Sequence, residues 1–326
     1  MMEEHLFEQK GEIAALNEVL DKIRAEIGKV IIGQQAMVDL MLTGLLCDGH
    51  ILVEGVPGVA KTLAAKLVAR VIDVQFARLQ FTPDMMPSDV IGTAVFNPGQ
   101  GSFVFKQGPI FSNIVLIDEI NREPAKTQAA LFEVMEERQV TVDGYTHPMD
   151  YPFIVLATQN PIEQEGTYRL PEAQLDRFLF KIEVGYPNLA EEVQILQRHQ
   201  SHSQEELFQE VQKVVGRHDI RFYRKVVQQV SIEPKLIEFI AAIIHETRNN
   251  PALYLGASPR ASLALMKAAK ATAALRGRDF VIPEDIVEMA PPVLRHRIML
   301  TPEKEMEGMT PDVQVDMIIK SVEVPR

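Results

Sequence analysis

Cysteine is nearly absent. The 326-residue chain has one, Cys47, so no disulfide can form within it, and the composition suits a reducing compartment such as the cytosol. Cys47 lies in the apolar stretch LMLTGLLCDG and reads as a small core residue rather than a nucleophile. Long apolar runs are missing too. None approaches the ~20 residues that a membrane-spanning helix requires, and the opening MMEEHLFEQKGEIAALNEVL is acidic and amphipathic, unlike a secretory signal. A cytoplasmic location is expected. Positive charge is scarce: Lys and Arg total 33 against 45 Asp and Glu, a formal charge of −12. Such a chain repels polyphosphate backbones at long range, which argues against a nucleic-acid partner unless a local basic patch overrides it. No internal repeat is visible, and no strand pattern follows residue 188.

What is present is an ordinary globular composition, 46% hydrophobic and 24% charged, in a chain longer than one compact domain usually is. Two domains are expected. Residues 12–30 carry Ile13, Leu16, Leu20, Ile23 and Ile27 at helical spacing. A second helical pattern resumes after Gly33 and ends near Gly49. Five short apolar runs then read as strands: HILVEG, QFARLQF, NIVLIDE, PFIVLAT and FLFKIEVGYP. Helical patterns separate most of them, so the expected fold class is α/β, a parallel five-stranded sheet with helices on both faces. TAVFNPGQGSFVFKQG and QVTVDGYTHPMDYP interrupt this alternation and read as inserted hairpins, the second turning at Asp143-Gly144. From 188 onward SIEPKLIEFIAAIIHETRNN, SPRASLALMKAAKATAALRGRD and IPEDIVEMAPPVLRHRI are helix patterns with proline start signals. The expected boundaries are 1–187 for the α/β domain and 188–326 for a smaller all-helical one.

Three strand ends carry chemistry. GVPGVAKT, residues 55–62, follows a strand and opens a helix, the context in which curled backbone N–H groups bind phosphate oxygens. Lys61 would add charge at the outer phosphates and Thr62 a hydroxyl for Mg²⁺. The usual pattern has glycine where Ala60 stands. Ala60 is expected to have a negative, helical φ, with the turn itself depending on Gly55 and Gly58. IVLIDE ends in Asp118 and Glu119 at the sheet edge where ligands bind in open α/β folds. Asp118 can hold Mg²⁺ through water, and Glu119 can polarise a water for attack on a γ-phosphate. In LATQNP, Asn160 can reach the γ-phosphate or that water if its strand lies between the other two. Asparagine before proline is also common in plain turns. Arg177, in LPEAQLDRF, and Arg260, in the first turn of the helix opened by GASPRA, have surface ion pairs as their alternative reading. A cation at Arg260's position gains nothing from the helix dipole, so it suits an external anion.

GVPGVAKT, LIDEINREPAKTQAALFEVMEERQVTVDG, ATQNPIEQEGTYRLPEAQLDRF and GASPRA together resemble AAA+ ATPases, and within them the MoxR family. The resemblance spans nearly the whole chain, from IIGQ at 31 to PPVLRHR, and alanine at position 60 is typical of that family's loop. It implies an AAA+ P-loop core followed by a helical lid, with ATP and Mg²⁺ as ligands. By position it implies nucleotide contacts from Gly55, Val56, Pro57, Gly58, Val59, Ala60, Lys61, Thr62 and Leu63, and adenine contacts from Ile32, Gly33 and Gln34. It makes Asp118 and Glu119 the Walker B pair, Asn160 sensor 1, and Arg260 sensor 2, acting in cis or in trans. Arg177 is implied as an arginine finger completing a neighbour's site. Arg122 and Arg169 compete for that role, although Arg169 stands where relatives often have proline. The hairpins resemble a helix-2 insert and a pre-sensor-1 hairpin. The implied activity is ATP hydrolysis coupled to chaperone-like maturation or activation of a partner protein, often one with a von Willebrand A domain, by a hexameric ring. A nucleic-acid motor, a metal-chelatase ATPase subunit and a non-enzymatic nucleotide-gated scaffold are the rival readings. Intact Lys61, Asp118, Glu119 and Asn160 argue against the scaffold. Phe96, Phe103 and Phe105 of the first hairpin are candidates for partner contact or for packing within the hairpin.

Overall fold

The computed structural model describes residues 2–56, 58–82, 84–99, 101–122, 125–160, 170–201 and 203–325. Two helices open the chain, α1 (Met2–Gly28) and α2 (Gln35–Cys47). The α/β alternation follows with β1 (His50–Gly55), α3 (Lys61–Val71) and β2 (Phe76–Gln80). Next come α4 (Pro87–Ile91), β3 (Gly92–Asn97), β4 (Ser102–Gln107), β5 (Ile114–Asp118) and α5 (Ala125–Glu137). β6 (Gln139–Val142), β7 (Tyr145–Pro148), β8 (Ile154–Gln159), the short α6 (Glu172–Leu175) and β9 (Phe178–Val184) complete it.

β2, β5, β8, β1 and β9 form one parallel sheet in that spatial order. Successive side chains point to opposite faces of a strand, and both faces are covered here, which is why the strands read as continuous apolar runs. Ile51 and Val53 join a core shared with α1, α2, α3 and the C-terminal helices. Leu52, Val115, Ile117, Val155 and Phe178 face the other way and pack with Leu131, Phe132 and Met135 of α5. The two insertions are antiparallel hairpins, β3–β4 and β6–β7. Asp143 and Gly144 have φ of 52° and 82°, the paired left-handed residues of a tight hairpin turn. Phe105 stacks on His147 at 4.3 Å and meets Phe111 edge-on, joining the two hairpins, whereas Phe96 and Phe103 touch each other and are exposed.

The remainder is helical: α7 (Leu189–Ser201), α8 (Gln204–Glu210), α9 (Arg217–Gln229), α10 (Pro234–Asn249), then β10 (Leu253–Leu255), α11 (Pro259–Leu275), α12 (Pro283–Leu294), β11 (Met299–Leu300), α13 (Pro302–Met306) and α14 (Pro311–Ser321). The antiparallel pair β10–β11 departs from the all-helical expectation. Strands of three and two residues are too short to leave an alternation pattern. Arg297 pins this region to the sheet: its buried guanidinium donates to Asp176 Oδ1 at 2.8 Å and to the Leu179 carbonyl at 3.0 Å. No helix among the described residues is long and apolar enough to cross a membrane. Cys47 donates to the Lys267 carbonyl, and burial pushes its thiol up to about 12, in keeping with an inert packing role.

Candidate active site

Strand order builds the site. β8 lies between β5 and β1, so the C-terminal ends of three strands stand side by side. Glu54 pairs with Gln159, and Ile117 with Ala157, in register. Asp118, Glu119, Asn160 and the loop after Gly55 therefore share one edge, the edge where parallel sheets bind ligands. Asn160 is buried there.

The loop from Gly55 to α3 reverses the chain within five residues. Gly55 has no room for a side chain, because a Cβ would fall 2.6 Å from the Val184 carbonyl oxygen. Gly58 has φ of +87°, where an L side chain is strained. Both expectations for the glycines hold. The expectation for Ala60 does not. Its φ is +60° and ψ 19°, left-handed, and α3 begins at Lys61 with Ala60 as its N-terminal cap. The curl needs a second left-handed residue before the helix can start, so Ala60 occupies a glycine conformation at roughly 1–2 kcal/mol of strain. Pro57 lies outside the described residues. Val59 is buried, while Val56, Thr62 and Leu63 are partly exposed at the loop.

Lys61 Nζ donates to the Gly55 carbonyl. Partial burial lowers its pKa, opposed by the charges of Asp118, Glu119 and Glu54. Asp118 accepts from Arg78 Nε at 2.6 Å and from the Thr158 hydroxyl at 3.2 Å. The same hydroxyl accepts from the Glu119 backbone N–H at 3.0 Å. Glu119 is itself left-handed, φ 57°, and its carboxylate meets Arg122 Nε at 2.9 Å. Sequence reading missed Thr158 and Arg78. The only signal for Thr158 was a polar residue inside LATQNP, two positions before Asn160. Nothing local in QFARLQF marks Arg78 as a partner of Asp118, 40 residues further on.

Of two clefts lined by residues implied in nucleotide binding, one adjoins the loop. That cleft, of about 590 Å³, is lined by Gly58–Leu63 and Lys66 with Gln204, Glu205 and Phe208 of α8. The other, of about 450 Å³, includes Ile32, Gly33, Glu191, Gln194 and Arg198. Gly33 has φ of +76°, where an L side chain is strained, and lies against the end of the Glu191 side chain. Gln34 reaches the Gly185 carbonyl at 3.2 Å. Among the described residues no group of three or more His, Cys, Asp or Glu forms a protein-only metal cage. The hard oxygens of Thr62 and Asp118 fit Mg²⁺, which keeps most of its waters and shares its coordination with phosphates.

Arg177 and Arg260 are not brought to this edge. Phe178 pairs with His50, at the opposite end of β1 from Gly55; five residues of strand rise separate those ends, about 17 Å. Arg177 Nη1 donates to the Phe132 carbonyl and lies 3.9 Å from Glu136. Arg260 clasps the same Glu136, with Nη2 to Oε1 at 2.6 Å and Nη1 to Oε2 at 3.3 Å. The anion expected outside the chain for Arg260 is thus supplied, in this structure, by a carboxylate of α5. Periodicity could not reveal this, because the partners are 124 residues apart. Arg122 stays with Glu119 in its own chain, and Arg169 lies outside the described residues.

With this geometry in place, the comparisons with known proteins decide the family. The model for the ATPase family associated with various cellular activities (AAA) matches residues 50–180, and that for the AAA lid domain matches 245–318. The chain is 43% identical to Chaperone MoxR1 of Mycobacterium tuberculosis, covering 96% of this chain and 84% of that one. It is 30% identical to Protein MoxR of Methylorubrum extorquens, over 93% and 94%. The chain belongs to the MoxR family of AAA+ ATPases. Protein YeaC of Bacillus subtilis is 48% identical over 95% of this chain and 96% of its own. A crystal structure from Cytophaga hutchinsonii, 42% identical, superposes with a TM-score of 0.91 over 99% of both chains. The expected AAA+ architecture, five-stranded core and lid, is therefore found, with the short β10–β11 pair added to the lid's helices, and in this chain Ala60 adopts a glycine-like backbone.

Proposed function

We propose that this MoxR-family protein hydrolyses Mg-ATP in a ring of its own copies, and that the resulting movement of lid against core remodels a partner protein. The observation that carries the reading is the convergence of Lys61, Asp118, Glu119 and Asn160 on one sheet edge beside the Gly55–Lys61 turn. Backbone N–H groups of the loop and the N-terminus of α3 would cradle the phosphates. Lys61 Nζ would leave the Gly55 carbonyl for the outer phosphates. Thr62 and Asp118 would hold Mg²⁺, whose chemistry is to neutralise charge developing on the phosphates. Glu119 would accept the proton of the attacking water, with Arg122 fixing its carboxylate and Asn160 orienting the water. Ile32, Gly33 and Gln34, next to α7, would border the base.

Arg177 precedes β9 beside the end of β1 remote from the loop, a strand length of about 17 Å, and Arg260 meets Glu136 next to it, which favours a role in trans for both, as finger and sensor for a neighbouring copy. A ring closes such head-to-tail contacts, and six copies is the number we propose. The remodelling role is supported by the name of the M. tuberculosis relative, a chaperone; a partner with a von Willebrand A domain is the class we propose. The two-domain division at about 187, with α7 beginning at Leu189, would put the moving boundary directly after β9.

Glu119→Gln tests the chemistry. Turnover is expected to fall about 10²- to 10⁴-fold while ATP still binds and the assembled form is stabilised. Unchanged turnover would overturn the assignment of Glu119, and with it the proposed reaction.

A further inference from the structure

Glu136 occupies a position that the reaction as proposed leaves unused. It sits in the last turn of α5, at the sheet edge remote from the phosphate loop. Its carboxylate takes both nitrogens of the Arg260 fork, at 2.6 and 3.3 Å, and stands 3.9 Å from Arg177. One side chain therefore holds two guanidinium groups from different parts of the molecule, Arg177 from the core and Arg260 from the lid. The surroundings fix all three. Arg177 is anchored by the Phe132 carbonyl, one turn before Glu136 on the same helix. The Ser258 hydroxyl, which caps the helix bearing Arg260, donates to Asp176 at 2.8 Å. Asp176 in turn accepts from Arg297.

The chemistry of this cluster is specific. Two guanidinium groups repel each other, and a carboxylate between them offsets that repulsion. End-on pairing uses one hydrogen on each terminal nitrogen of Arg260 and leaves Nε and the outer hydrogens available. Among the described residues Arg177 Nη2 makes no hydrogen bond, and its buried Nε has no partner. The cluster is half-exposed, with side-chain exposures of 52% for Arg260, 36% for Glu136 and 29% for Arg177, so its outer donors can be met by a second molecule. We propose that Glu136 is a positioning residue: it holds Arg177 and Arg260 as one preassembled pair, which the neighbouring copy's bound nucleotide meets as a unit. The triphosphate, with several anionic oxygens in a row, is the ligand chemistry that two adjacent forks fit. Because Arg260 belongs to the lid and Arg177 to the core, the clasp also makes the pair's geometry dependent on lid position. The proposal rests on the reading that these arginines act in trans.

Steady-state ATPase of the full chain tests it, measured at concentrations where the ring is assembled, with assembly followed by sedimentation. Glu136→Gln is expected to lower kcat about 10- to 100-fold, the scale of a misplaced catalytic group, with KM, ATP affinity of dilute protein and assembly unchanged. Placed on an Arg260→Ala background, the same substitution is expected to add less than about twofold, because the two act through one contact. A rise in kcat on Glu136→Gln would overturn the proposal, since the carboxylate would then be restraining the arginines. So would a full multiplicative loss in the double variant. Should Glu136→Gln fail to fold, Arg260→Lys, which keeps the charge and loses the fork, is expected to lose kcat on the same scale with normal assembly; unimpaired kcat overturns the clasp. If Arg177→Ala and Arg260→Ala leave kcat intact, the trans reading itself fails. If they lower it and Glu136→Gln does not, only the clasp fails.

Discussion

Ala60 and Thr158 illustrate how much a single backbone angle or hydroxyl decides. Ala60 is held at φ +60°, where alanine is strained and glycine is not. Ala60→Gly is therefore expected to raise stability by about 0.5–1 kcal/mol despite glycine's greater freedom when unfolded, seen as a higher urea midpoint with nucleotide binding retained. A lower midpoint would mean that the methyl group packs usefully. Thr158 connects the two acidic residues, accepting from the Glu119 N–H and donating to Asp118. Thr158→Val leaves the Glu119 N–H without its acceptor and takes one donor from Asp118, which keeps Arg78, and is expected to lower stability by about 1–3 kcal/mol. It should also weaken Mg²⁺-dependent ATP turnover more than ATP binding, as compared by kinetics and by titration with a fluorescent nucleotide.

At the scale of elements, two buried histidines tie strands to their neighbours. His50 of β1 accepts from the Val155 N–H of β8 through Nδ1 and bonds the Met135 carbonyl of α5 through Nε2. His296 bonds the Phe178 carbonyl of β9. Burial pulls the His50 pKa down to about 3 and that of His296 well below its usual value, with nearby arginines adding to the shift. The unfolded chain binds these protons near pH 6.5 and the folded chain does not. The folded state is thus fully favoured above that pH and loses stability as pH falls below about 6.5, for His50 down to about 3. His50 is expected to remove roughly 1 kcal/mol per pH unit in the interior of that window, with His296 acting in the same direction, checked by urea unfolding at pH 7 and pH 5. A midpoint unchanged between those values would show that the histidines accept protons inside the fold. The strands and helices themselves were legible in the chain, since apolar period and turn residues encode them locally. The β10–β11 pair was not, because five residues in two pieces leave no period.

For the whole molecule, the proposed trans roles of Arg177 and Arg260, which the structure holds on Glu136 rather than beside Lys61, would leave a single copy with an incomplete site. ATPase per subunit is expected to be negligible in dilute protein and to rise with concentration by the roughly 10³- to 10⁵-fold that a finger in trans supplies in other NTPases. Activity per subunit that is flat with concentration would show that each copy carries its own complete site. The half of the candidate site that sequence reading assembled lies at strand ends, where a short apolar run delivers a residue to a known edge. The half it could not assemble depends on long-range packing, as when α5 presents Glu136 to a helix 124 residues further on.

The chain by itself determined the class of fold, the family and the residues that meet at the phosphate loop, because each is written in a short contiguous stretch whose geometry is set by neighbouring residues. Only the tertiary structure decided the rest. The insertion of β8 between β5 and β1 put Asn160 among the acidic residues. The tight reversal before α3 forced Ala60 into a left-handed conformation against the expectation from its helix propensity. Docking of the lid on the far sheet edge joined Arg260 and Arg177 through one carboxylate. Pairings between distant segments follow from how faces of different elements bury one another, and that burial is a property of the assembled core rather than of any local run of residues.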